Sequence, residues 1–190
     1  MNSWVTTQIN DSTSPLNFAF SHEPLFPHSY NGNGPKSSMA NDAKSRDALI
    51  SALSTHNGTY FAGHDHLYLR AYISDGEGHT IPELVVGTGH SNYNYSPEVT
   101  YAYTRPENYM VDKVYSNSTD PYFGYLLVTV YDNSTWTGEF RGFQDTYGIW
   151  RTQTPAIQML DHFSIPQEQT SNGQSDKADI VVHIQKLLRM

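Results

Sequence analysis

Two short apolar runs bracket a stretch of helix formers near the start of the chain, and that order constrains the fold more than any other feature. The segment "LNFAFSH" (Leu16–His22) follows the turn-like "NDSTSP" and predicts a buried strand. Residues 39–55, "MANDAKSRDALISALST", place Ala48, Leu49, Ala52 and Leu53 at helical spacing, and "HNG" supplies a C-terminal stop. "TYFA" (Thr59–Ala62) predicts a second strand. Strand, helix, strand is the order of a βαβ unit, whose two strands run parallel because a helix-length crossover returns the chain to the same end of the sheet.

The remainder reads mostly as β-structure. "LYLRAYI" alternates as a strand, residues 75–79 form a turn, and "TIPELVVGTG" contains a further strand. Residues 91–121 are rich in Tyr, Asn, Ser and Pro and predict a long surface loop. "YLLVTVYD" and "TWTGEFRGF" predict a hairpin turning at Asp132, Asn133 and Ser134, with Trp136 and Phe140 on one face. Residues 166–179 are polar and linker-like, and the terminal "IVVHIQKLLR" is a short helix or strand. The sequence has 190 residues and 37% hydrophobic content, enough for one domain with a real core.

Composition excludes several functions. Nineteen acidic against eleven basic residues give a net charge of -8, and no Lys/Arg cluster offers a nucleic-acid footprint. No apolar run reaches the ~20 residues of a membrane-spanning helix. The absence of cysteine removes disulfides, thiolate metal sites and cysteine nucleophiles together. The first ten residues lack a signal-peptide pattern, whereas the Asn-x-Ser/Thr sequons at Asn10, Asn57, Asn117 and Asn133 lean toward an extracytoplasmic or secreted protein.

Of nine histidines, most have ordinary explanations: His56 ends the helix, His79 lies in a turn, and His162 and His183 lie toward the C-terminus. His64 and His66 are different. They follow Gly63 in "FAGHDHLYLR", and in extended backbone residues two apart point to the same side with Cα atoms roughly 6.5–7 Å apart. Alone, the spacing also fits two half-exposed strand histidines. His22 adds weight, because it too ends a strand, and the βαβ connection brings that strand beside "TYFA". Three imidazoles at one sheet edge would suit Zn, Mn, Fe or similar ions.

"FAFSHEPLFP", a helix, and then "YFAGHDHLYLR" together resemble the C-terminal half of the calcineurin-like metallophosphoesterases, which include the purple acid phosphatases. The strand ending in His22-Glu23-Pro24 and the Gly63-His64-Asp65-His66 motif carry the likeness, "ELVVGTGHS" and the 122–142 hairpin extend it, and it runs from about Trp4 to Ile165. The resemblance implies an α/β (α+β) fold: part of a metallophosphoesterase-type β-sandwich with a mixed sheet and flanking helices. It implies a phosphate-ester substrate, hydrolysed at a dinuclear centre of divalent or trivalent ions such as Fe, Zn or Mn. His22 and His64 would ligate one ion and His66 the other.

The family's earlier motifs, Asp-x-His, Gly-Asp and Gly-Asn-His, do not occur in the chain, and His90 stands where the family usually has glycine. Residues 1–165 are therefore expected to be the back portion of such a domain, and 166–190 a polar linker and short tail. Alone, it should be inactive or weakly active: a catalytically incomplete or diverged domain with a three-histidine metal site. Half a sandwich leaves apolar strand faces open, so a complementary chain or a homo-oligomer is expected to cover them.

Overall fold

The computed structural model describes residues 2–26, 39–74, 79–88, 109–115, 122–144, 154–165 and 180–183. The expected turn at 75–78, His90, most of 91–121 and the polar stretch 166–179 lie outside the described residues. The chain divides into two compact units, Met1–Ser118 and Thr119–Met190. The fold is α+β with a mixed sheet, as expected.

In the first unit, helix α1 (Asn2–Asn10) precedes strand β1 (Asn17–Phe20). A 3-10 turn (Met39–Asp42) leads into helix α2 (Ala43–Thr55), followed by strands β2 (Gly58–Ala62), β3 (Tyr68–Ser74), β4 (Thr80–Val86) and β5 (Tyr109–Tyr115). The sheet order is β1-β2-β4-β3-β5. β1, β2 and β4 run parallel, while β3 is antiparallel to both β4 and β5. The predicted βαβ unit is therefore present, with Asn17 opposite Gly58 and Phe20 opposite Phe61.

Helix α2 begins at Ala43, because a 3-10 turn occupies the first four residues of the expected 39–55 helix. The Asp42 carboxylate accepts from the Ser45 backbone N–H at 3.1 Å, and hydrogen bonding to Ser45 holds the Asp42 carboxyl below its ordinary range. At the other end His56 caps the helix, its Nδ1 3.0 Å from the Ala52 carbonyl oxygen, and Asn57 turns the chain with φ 47°. Leu49, Ala52 and Leu53 face inward, whereas Ala48 is exposed, so the apolar stripe is narrower than its spacing predicted. The stripe shares one core cluster with Tyr60, Ala62, Leu69, Ala71, Ile73, Ile81 and Val85, and the helix contacts β2 and β4. On β2 the alternate residue Phe61 meets an aromatic pair instead: Phe20 stacks on it at 4.9 Å and Phe18 meets it edge-on at 5.6 Å.

One element of this unit adds to the sequence reading and another corrects it. The N-terminal residues form a helix, and the loop expected over 91–121 contains strand β5. "YMVDKVY" is too polar and too short to stand out, but β3 offers it a free edge with a register from Tyr68 opposite Tyr115 to Ile73 opposite Tyr109.

The second unit is an antiparallel sheet in the order β8-β7-β6-β9, built from β6 (Tyr122–Val130), β7 (Trp136–Gln144), β8 (Gln158–Ile165) and β9 (Ile180–His183). β6 and β7 form the predicted hairpin. Its turn is closed by Ser134 N–H donating to the Tyr131 carbonyl at 3.2 Å, with Ser134 at φ 64° in the place glycine commonly takes. Trp136 and Phe140 are fully buried, and Phe163 on β8 meets Trp136 edge-on at 5.5 Å. The terminal apolar piece is a strand, pairing Val130 with Ile180.

One close approach ties β4 to the loop after β2. Gly87 lies so near the Asp65 carbonyl that a Cβ there would come within 1.8 Å of its oxygen. Gly87 N–H also donates to the Leu67 carbonyl at 2.9 Å. Because the obstacle is backbone, Gly87→Ala is expected to lower stability by about 3 kcal/mol, measured by urea unfolding.

Candidate metal centre

The parallel pairing of β1 and β2 continues past both strand ends. Ser21 N–H donates to the Phe61 carbonyl at 3.0 Å, and Gly63 N–H donates to the His22 carbonyl at 3.1 Å. These two bonds carry the next residues out of the sheet side by side, and His22 and His64 are among them. His22 is exposed and His64 half-buried. Their rings stand nearly perpendicular (89°) with centroids 5.0 Å apart, and His64 Nδ1 lies 3.1 Å from His22 Nε2.

Residues 63–67 are not extended. Asp65 N–H donates to the Gly63 carbonyl at 2.7 Å and Leu67 N–H to the Asp65 carbonyl at 2.8 Å, so two three-residue turns follow one another. His64 is the centre of the first, with φ 61°, a backbone conformation that costs a side-chain-bearing residue about 1–2 kcal/mol. His66 is the centre of the second and is half-buried, with Nδ1 enclosed by protein. The same-side argument for the two rings assumed extended backbone, and these turns replace it. Among the described residues, no three His, Cys, Asp or Glu side chains gather as a metal-holding group. The structure thus brings His22 and His64 together and does not gather His66 with them.

The pair fits a shared cation. Two imidazole nitrogens bound to one ion at about 2.1 Å in tetrahedral geometry stand about 3.4 Å apart, near the separation here. Two neutral-capable nitrogens without thiolate suit Zn, Mn or Fe better than calcium. A complete site needs at least three protein ligands, and this pair supplies two.

The segment that carries His22 is held by groups the sequence reading overlooked. Tyr60 Oη donates to the Glu23 carbonyl at 2.7 Å, with Met39 Sδ 3.3 Å away. Glu83, buried in β4, accepts from the Leu25 N–H at 2.7 Å through Oε1 and from Tyr109 Oη at 2.5 Å through Oε2. Leu25 is itself fully buried, and Phe26 lies between the Tyr109 ring (centroids 4.9 Å apart) and the Arg46 guanidinium (4.6 Å). One signal was present in the sequence: a lone acid inside the apolar run "TIPELVVG", where a charge is rarely buried without a partner. Tyr68 and Arg70 are buried strand residues on β3, and Arg70 donates to Tyr72 Oη (2.9 Å) and Asp112 Oδ2 (2.5 Å).

No family profile and no curated protein matches the chain. A solved structure does: the structure of PhoD, with a TM-score of 0.54 at 12% identity. The chain shares its fold with part of PhoD. The match covers 98% of this chain and 35% of the PhoD chain, so the chain spans about a third of that protein's length.

Two outcomes check the local physics. Glycine adopts the His64 conformation freely, so His64→Gly is expected to raise stability by up to about 1 kcal/mol while removing the ring pair; a clear loss in urea unfolding would argue against strain at this residue. Burial, with the Glu83 and Glu23 carboxylates adding to it, pushes the Tyr60 hydroxyl from its ordinary 10.0 up to about 12. Because the folded value is raised, this contribution is intact below pH 10 and lost as pH rises to about 12, where the phenolate can no longer donate to Glu23. Wild type should lose stability relative to Tyr60→Phe across that window, measured by denaturation at stepped pH.

Proposed function

We propose that the chain is the histidine-bearing part of a metal-dependent phosphoesterase domain, acting on phosphate mono- or diesters. The carrying observation is the 3.1 Å approach of His64 Nδ1 to His22 Nε2 at the ends of two parallel strands. The fold shared with PhoD supports it independently. On this reading, of the purple acid phosphatase type, His22 and His64 hold one cation and His66 contributes to a second. A bound cation supplies Lewis acidity toward phosphoryl oxygens and lowers the pKa of water. That division of labour suits a chain of net charge -8 with no basic cluster to receive a phosphate.

What the chain's own residues do is positional. The bonds from Gly63 and Tyr60 fix the backbone at His22 and Glu23, so the His22 ring needs little reordering to meet a ligand. The turn at His64 spends backbone strain to aim the second ring at the first. The remaining ligands and the proton donor come from another polypeptide segment, and the chain by itself hydrolyses esters weakly or not at all. A complementary chain or second copy over the open strand edge, and an extracytoplasmic setting, belong to the same proposal.

A second reading is a diverged domain that binds a cation without catalysis. The absence of a three-donor group among the described residues favours it for the chain alone.

Titration with Zn or Mn by calorimetry tests the proposal, alongside hydrolysis of p-nitrophenyl phosphate and of a bis-ester. Binding near one cation per chain is expected, weakened at least about tenfold in His22→Ala and in His64→Ala. Binding that ignores both substitutions would refute the pair as ligands. Turnover abolished by His64→Ala would refute the expected inactivity of the isolated chain.

A further inference from the structure

We infer that Glu83 is a positioning residue whose buried carboxyl holds the His22 segment against His64. The inference rests on the reading of those two histidines as a ligand pair, and its geometry stands apart from any bound ion. Glu83 is fully buried in a strand whose other inward residues are apolar. Burying a carboxyl costs several kcal/mol before its partners offset the loss, and an apolar side chain of similar volume is often at least as stabilising. Stability alone therefore does not account for an acid at this position.

Its partners suggest what does. Oε1 accepts from the Leu25 N–H, three residues beyond His22, a backbone donor that burial has removed from water. Glu83 stands directly opposite Tyr60 in the parallel register of β2 and β4, so both side chains leave the same face of the sheet. They grip alternate groups of the same segment: Tyr60 donates to the Glu23 carbonyl, and Glu83 accepts from the Leu25 N–H. With Gly63 N–H on the His22 carbonyl, three bonds fix four consecutive residues. A donor and an acceptor side by side also set the direction of the chain, because a shift by one residue would present Tyr60 and Glu83 with the wrong backbone groups. The Oε2 bond to Tyr109 extends the brace to β5, whose Tyr109 ring in turn supports Phe26. An apolar residue at 83 could fill the space but could not select this register.

The test compares three variants of the full chain. Glu83→Leu removes the acceptor with little change in volume, Glu83→Gln keeps an oxygen for the Leu25 N–H, and Ile9→Ala opens a cavity in the core under α1, away from the Glu83 brace. Three quantities are read: thermal midpoint, ring-to-ring contacts of His22 and His64 by NMR in metal-free protein, and Zn affinity. Glu83→Leu is expected to abolish the ring contacts and weaken Zn binding about 10–100-fold, out of proportion to any change in thermal midpoint. Glu83→Gln should restore the contacts and most of the affinity. Ile9→Ala should lower the midpoint and leave both site measurements intact. Should Glu83→Leu fail to fold, Glu83→Ala, which adds no volume, is read in the same way. Ring contacts that persist without the carboxyl, or that vanish equally in Ile9→Ala, would overturn the inference. Intact wild-type contacts with no Zn binding would instead overturn the metal reading, and Glu83 would still be judged on the contacts alone.

Discussion

Everything at the candidate site depends on two backbone hydrogen bonds that prolong the β1–β2 ladder beyond the strands themselves. Ser21 to Phe61 and Gly63 to His22 keep the two chains in step after regular pairing ends. Parallel neighbours leave a sheet at the same edge, so their first loop residues are close in space although 42 positions apart in sequence for His22 and His64. The βαβ crossover through α2 makes that parallel arrangement obligatory, and the Leu49, Ala52 and Leu53 stripe holds the crossover on the sheet.

Around that ladder the structure trades local comfort for fixed placement. His64 occupies a left-handed conformation in a tight turn, and Gly87 passes so close to Asp65 that only glycine fits. A buried carboxyl and a buried tyrosine hydroxyl hold the segment from His22 to Phe26, which enters the core with Leu25 and Phe26 as its anchors. Each such device would be unfavourable alone. Together they bond the His22 and Glu23 carbonyls and the Leu25 N–H, and leave the His22 and His64 rings beside each other.

Much of this was legible from residue order. The two strands, the helix with its His56 end, and the Trp136/Phe140 face of the hairpin all come from short-range pattern, because propensity and periodicity act over a few residues. β5 was not legible: its seven residues pair only because β3 presents an edge, a fact outside their own sequence. Strand β8, with exposed Met159 and buried Asp161, likewise takes its conformation from β7 rather than from a clean alternation of its own.

The histidines divide along the same line. Residue order determined that His22 and His64 each follow a strand and that a helix joins those strands, and from this their proximity follows by topology; β2 is buried as expected, whereas β1 is half-buried with Phe20 exposed. Only the tertiary structure decided how their rings meet, because the turns at 63–67 override the extended geometry in which His64 and His66 would share a side. Only it, too, revealed Glu83 and Tyr60 as a matched acceptor and donor, since their partners are backbone groups, which every residue carries and no sequence distinguishes.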